Sequence, residues 1–205
     1  MPIIHTLPGA DLDKYRDHLL RLSADDRRFR FGNCLSDAGI TGFVDGLRPR
    51  ENHIFVDQET TGKVVGAVQI AVRYGSDAEL ALSVDAEHRR RGVAYVLAKR
   101  AILWARNRRI RSVCMSCLAE NRPMRRLAKK VGMEMDADGG LVEAKLSLPP
   151  PTPLSLAREA AYDTAAFRDA EFAAWRARPA GRPLAALTPL PLLAARLVPR
   201  FALLD

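Results

Sequence analysis

The chain has 205 residues, 48% of them hydrophobic, and 32 Lys and Arg against 24 Asp and Glu give it a net charge of +8. That length fits one domain of ordinary size plus an appendage, with enough apolar residues for a proper core. No apolar run reaches the ~18 residues of a membrane span, no signal peptide opens the chain, and three cysteines suit a reducing compartment, so the expected location is cytoplasmic.

Ile3 to Leu7 reads as a first strand. Asp11 to Leu22 reads as a helix with Leu12, Tyr15, Leu19 and Leu22 on one stripe. Ser23, followed three residues later by Asp26, opens a second helix in the manner of a capping box, and Phe29 and Phe31 are expected to pack inward. Asn33 to Pro49 is rich in Gly and Asp and is expected to hold a short helix over Ala38 to Leu47. His53 to Asp57 and Lys63 to Arg73 are strands joined by a hairpin turn, Glu59 to Gly62. A further turn leads into Ala78 to Val84, which makes three strands of an antiparallel meander.

The chain then runs Arg89-Arg90-Arg91-Gly92-Val93-Ala94 into a helix whose Ala94, Leu97, Ala98, Ala101, Ile102 and Ala105 share one face. Strand, Gly-containing turn and helix N-terminus make an anion site, because unpaired N–H groups and the positive end of the macrodipole meet there. That field is worth about 1 kcal/mol at an exposed end. Gly92 lets the backbone approach a ligand closely, and Ala94 keeps the first turn uncrowded. From Ala86 to Lys130 there are fourteen Lys and Arg against two acids. Such a stretch attracts a multiply phosphorylated ligand or a nucleic acid. Few aromatics, Tyr95 and Trp104, interleave with the arginines, which argues against a stacking platform for single strands. Arg100, Arg106 and Arg108 fall away from the apolar face, as on a solvated side.

Arg111 to Leu118 is an apolar strand, parallel to the one ending at Val84 by a right-handed crossover. It carries Cys114 and Cys117. No second Cys or His pair completes a zinc set, so these read as core cysteines and no metal is expected. Asn121 to Val131 is a helix with Pro123 in its first turn and Gly132 at its end. Leu141 to Leu148 is a last strand. Pro149 to Pro153 is a stiff connector. Leu154 to Arg178 is an Ala-rich helix with Ala157, Ala160, Ala161, Thr164 and Phe167 on one face. Phe172 and Trp175 add bulk, and Arg178-Pro179-Ala180-Gly181 ends it. Leu184 to Leu204 is apolar and Pro-broken, too apolar for a plain linker, and is expected to pack on the domain or on a second subunit as a homodimer contact. The domain plan is residues 1–148, a connector at 149–153 and an extension over 154–205.

Three features taken together resemble the GNAT family of N-acetyltransferases. They are Arg89-x-x-Gly92-x-Ala94, then Ala119-Glu120-Asn121 after a strand, then Leu127-Ala128-Lys129-Lys130-Val131-Gly132-Met133. The resemblance covers roughly Arg50 to Leu148. In addition, Leu22 to Phe31 is similar to the first-helix region of bacterial protein-lysine acetyltransferases. The resemblance implies an α/β (α+β) fold: a mixed, mostly antiparallel twisted sheet with helices on both faces and a cleft where the sheet splays. It implies acetyl-CoA as co-substrate and transfer to a primary amine of a small molecule, a protein lysine or an N-terminus.

The same resemblance assigns residues. Leu82, Ser83 and Val84 would pair with the pantetheine arm. Arg89, Arg90, Arg91, Gly92, Val93 and Ala94, with Tyr95, would hold the pyrophosphate. Asn121 would meet the arm, or serve only as a helix N-cap. Glu79, ten residues ahead of Arg89, would be the general base, its pKa raised by an apolar strand; otherwise it is a solvated acid at a strand edge. Ala128 stands where the family often has a tyrosine acid, and Met133 replaces a phenylalanine. The missing tyrosine leaves open a non-catalytic acyl-CoA-binding sensor or interaction domain. A nucleic-acid binder is the third reading.

Overall fold

The computed structural model describes residues 2–73 and 76–176. In chain order the elements are β1 (Ile4–Thr6), α1 (Leu12–Leu20), α2 (Ala24–Phe31), α3 (Asp37–Asp45), β2 (Asn52–Gln58), β3 (Val64–Arg73) and β4 (Asp77–Val84). After them come α4 (Val93–Asn107), β5 (Ser112–Leu118), α5 (Arg122–Val131), β6 (Glu134–Asp138), β7 (Leu141–Ser147) and α6 (Pro153–Arg176). Side-chain caps set the early boundaries. Ser23 Oγ accepts the Asp26 N–H and Ser36 Oγ accepts the Gly39 N–H, each at 3.2 Å. Gly32 ends α2 with φ +77°.

All strands join one sheet in the order β1-β2-β3-β4-β5-β7-β6. The meander from β2 to β4 is antiparallel, and β5 lies parallel to β4, as the sequence pattern implies. Along β4 the side chains alternate. Ala78, Leu80, Leu82 and Val84 enter a core shared with Leu97 and Ala101 of α4. A second core, under α1 and α3, collects Tyr15, Leu19, Ile40 and Val56 on the opposite face. The sheet is therefore sandwiched, in the mixed α/β architecture expected. Gly66 of β3 lets α4 close on the sheet, since a Cβ there would lie 2.8 Å from Val93 Cγ1.

Three expectations need correction. First, Glu134–Asp138 is a strand, β6, that the pattern did not suggest. All five of its residues are exposed and it pairs only with β7, so no apolar alternation marks it. Second, Arg100 is not solvated. It is 2% exposed, stacked on Phe55, and held by Glu159 and Asp163 of α6. Third, the apolar face proposed for the C-terminal helix is not its docking face. Ala157, Ala160, Ala161, Thr164 and Phe167 are all exposed. Ser155 and Glu159 are buried instead, with Tyr162 and Ala166 half-buried behind them. Thr152 and Ser155 cap the start of α6 reciprocally, each backbone N–H donating to the other's hydroxyl at 3.2 Å or less.

The side chains of Phe172 and Trp175, the stop at Arg178 to Gly181 and the apolar segment Leu184 to Leu204 lie outside the described residues. Among the described residues no helix is long and apolar enough to cross a membrane, and no cluster of three His, Cys, Asp or Glu is placed to hold a metal.

Candidate active site

β4 and β5 pair over only three residues each, Asp77–Glu79 against Ser112–Cys114. Beyond that point β5 continues with β7 while β4 continues with β3, and the sheet splays. The register decides which groups of β4 are left open. The Asp85 N–H donates to Val65 O at 2.8 Å, toward β3. In an antiparallel ladder the direction alternates, so Ser83 also faces β3, whereas the N–H groups of Leu82 and Val84 face the gap. These are main-chain donors with no strand to receive them.

The gap leads to the N-terminus of α4. Gly92 turns the chain with φ +82° and no side chain caps the helix. Val96 makes the first intrahelical bond, to Gly92 O at 3.1 Å, which leaves the N–H groups of Val93, Ala94 and Tyr95 as the open donors of a helix start. Arg89, Arg90 and Arg91 add three cations at the positive end of a helix dipole. That arrangement is unfavourable until an anion joins it. Arg90 and Arg91 are exposed. Arg89 is exposed too but held against the cleft, with Nε donating to Val84 O at 3.1 Å and a guanidinium nitrogen 2.7 Å from Asp26. Val93 is 4% exposed, so its side chain is a packing residue and only its N–H faces the site. Lys130 of α5 sits over the Tyr95 ring, 4.5 Å from its centroid.

An open cleft of about 190 Å³ occupies the splay. Leu82, Ser83, Val84, Arg89, Ala94 and Asn121, all named from the sequence, line it together. So do Asp26, Phe29 and Arg30 of α2 on one side and Met124 and Leu127 of α5 on the other. Ion pairs tie α2 across the opening, Asp26 to Arg89 and Arg28 to Glu120. Asn121 caps α5, its Oδ1 accepting the Met124 N–H at 3.1 Å, and it also faces the cleft. Both roles considered for it are thus compatible with its place.

Glu79 lies elsewhere. It sits near the start of β4 on the face that also carries Ser83, roughly 13 Å back along the strand. Its carboxylate accepts from Arg73 and does not line the cleft. Burial pushes the thiols of Cys114 and Cys117 up, the charge of Glu79 adding to the effect on Cys114, so both are thiols and not nucleophilic thiolates at neutral pH. Ala128 is buried at 1% exposure and Met133 at 5%, both in the core.

Sequence reasoning missed His18 and Asp85, which meet Ser83 behind the cleft wall. One signal was present: His18 falls on the apolar stripe of α1 beside Tyr15, Leu19 and Leu22, and a buried imidazole needs partners.

The sequence pattern of the Acetyltransferase (GNAT) family matches residues 16–133. Comparison with curated protein sequences gives no significant match. Solved structures share the fold. The GNAT domain of S. lividans PAT superposes with TM-score 0.61 at 20% identity, covering 71% of this chain and 89% of that one. Spermidine N-acetyltransferase from Vibrio cholerae, in complex with CoA and spermine, gives 0.57 at 14% identity over 70% and 94%. The structure of yncA from Salmonella typhimurium with its cofactor acetyl-CoA gives 0.55 at 17% identity over 74% and 96%.

Proposed function

The chain belongs to the acetyltransferase (GNAT) family, and from that premise we propose that it transfers the acetyl group of acetyl-CoA to the nitrogen of a primary amine. The observation that carries this reading is the continuity of open donors. Leu82 and Val84 offer main-chain N–H groups in the splay, and Val93 to Tyr95 offer theirs at the uncapped, arginine-flanked start of α4. A pantetheine arm with two amides would continue the ladder of β4, and a pyrophosphate would end on the helix. Arg90, Arg91 and Lys130 would add charge for the phosphates.

The residues divide the work. Whichever of the Leu82 and Val84 N–H groups the pantetheine amides leave free would stabilise negative charge developing on the thioester carbonyl oxygen. Phe29, Met124 and Leu127 exclude water, which strengthens those contacts. An alkyl ammonium with a pKa near ~10.4 must lose a proton before it can attack, at a cost of about 4–5 kcal/mol at pH 7. Glu79 enters this reading as a base acting through water along the face of β4, because its carboxylate does not line the cleft. The acceptor is a small amine, a protein lysine or an N-terminus. Its approach is beside α2, whose Phe29 and Arg30 line the cleft.

The test is amine-dependent release of CoA thiol from acetyl-CoA across a panel of alkylamines and a lysine peptide. The expected result is turnover with at least one class. Glu79→Gln should lower kcat/KM by tenfold or more, within the ~100-fold range of a general base. A protein that binds CoA but releases no thiol with any amine is the sensor, a reading favoured by the absence of any tyrosine among the cleft-lining residues described.

A further inference from the structure

Behind the cleft wall runs a chain of three side chains from separate parts of the sequence. Ser83 Oγ lies 2.9 Å from His18 Nε2, and His18 Nδ1 lies 2.9 Å from Asp85 Oδ1. Asp85 is met on its other oxygen by Arg21 at 3.2 Å. His18 is wholly buried, while Ser83 lines the cleft. The two atoms make no hydrogen bond of good geometry, so their contact is a close ion–dipole approach. Burial alone would raise Asp85. His18 and Arg21 more than offset it and hold the carboxyl below its usual range. An ionised Asp85 at Nδ1 keeps the imidazole proton there and turns the Nε2 lone pair toward the serine hydroxyl.

Among the described residues no other group lining the cleft can both take and give a proton near neutral pH. Asp26 is engaged by Arg89, the arginines do not titrate, and no Tyr, Cys, Lys or His is among the described lining residues. A purely structural tie between α1 and β4 has no need to open its hydroxyl onto the splay between two unpaired main-chain donors.

We propose that Ser83, His18 and Asp85 form the proton shuttle of the transfer reaction, with Ser83 as the catalytic residue that touches the substrate. The proposal rests on the transferase reading. The ammonium first loses one proton through water to Glu79; as the resulting amine nitrogen bonds to the carbonyl carbon, a second proton passes from it to Ser83 Oγ while the serine's own proton passes to His18 Nε2. Asp85 stabilises the imidazolium. The C–S bond then breaks, its electron pair stays on sulfur, and the shuttle runs backward to protonate the thiolate. Amine and thioester become amide and thiol, and all three side chains end as they began. The shuttle does at the β4 wall what a tyrosine acid would do at the position filled by Ala128.

The experiment compares Ser83→Ala and His18→Gln with the wild type, using saturating acetyl-CoA and two acceptors, an alkylamine and a weakly basic arylamine. CoA binding and the melting temperature are measured on each protein, and Ser83→Thr serves as the hydroxyl-retaining variant. An arylamine adduct is acidic enough to give its proton to water, so the shuttle matters little for it. The expected loss in kcat is about 100-fold with the alkylamine and under about tenfold with the arylamine, with Ser83→Thr recovering most of the rate. Equal losses with both amines, or no loss with either, in variants that still bind CoA would overturn the shuttle. A wild type that binds no CoA or acetylates no amine overturns the transferase reading first and the shuttle with it.

Discussion

Arg90 adopts φ +62°, a left-handed conformation that costs an L-residue about 1–2 kcal/mol and that a β-branched side chain tolerates worst. Arg90→Gly should therefore leave stability unchanged or raised, whereas Arg90→Val should lower it by about 1 kcal/mol or more in urea unfolding. Equal stabilities for the two would show that the turn carries no strain. The strain sits where the chain must bend to present the N–H groups of the α4 start. Asp85 gives a pH signature. Its folded pKa is depressed, so its contribution is fully present above the ordinary carboxyl value of 3.8 and is lost as pH falls through the lower folded value. Asp85→Asn should reduce stability at pH 7 and flatten the acid limb of a pH–stability curve; an unchanged limb would mean that His18 and Arg21 do not hold the carboxylate. At this scale the sequence was partly legible. Six of the eleven residues expected to bind the cofactor line the cleft, because the end of β4 and the turn into α4 are adjacent in sequence and meet at one opening. The partners of Ser83 were not legible, since His18 is 65 residues away and no local pattern announces a meeting made by the sheet.

α6 is held by polar chemistry. Glu159 accepts from Asn107 at 2.7 Å and from Arg108 at 2.7 Å, and lies 3.4 Å from the buried Arg100. Burial would raise Glu159, but Asn107 and Arg108 more than offset it and keep it ionised. Removing that carboxylate leaves a guanidinium in the core with only Asp163, so Glu159→Ala should cost about 3 kcal/mol. A loss below about 1 kcal/mol would mean that α6 contributes little to the domain. Apolar periodicity did not reveal the docking face of α6, because the residues covered there include a serine, a glutamate and a tyrosine. At the other contact of α4, Gly66→Ala would drive a methyl into Val93, a stiff side chain. A loss of about 1–3 kcal/mol is expected, together with weaker CoA binding, because the same contact seats the start of α4. Unchanged binding in a destabilised protein would separate packing from the site.

The sheet as a whole makes the site by failing to stay paired. Three successive antiparallel strands and the parallel return of β5 beside β4 were readable from alternation, turn residues and the intervening helix. β6 was not, because a fully exposed edge strand has no buried face to imprint on the sequence. The place where β4 parts from β5 was readable only as a consequence of the family resemblance, since nothing in either strand's own sequence marks where their pairing stops. The positive charge is concentrated between Ala86 and Lys130, and the fold spends part of it on structure: Arg100 and Arg108 go to α6, Arg89 to Asp26. Of the arginines that stay exposed, Arg90 and Arg91 stand at the start of α4, and Arg109 and Arg111 at its other end. Calorimetric titration with CoA tests the central claim most directly, using the wild type beside Ala94→Glu, which places a carboxylate on the first turn of α4. One CoA per chain is expected for the wild type, and loss of binding in the variant with its fold intact. A wild type that gives no heat with CoA, or a variant that binds as the wild type does, would contradict it.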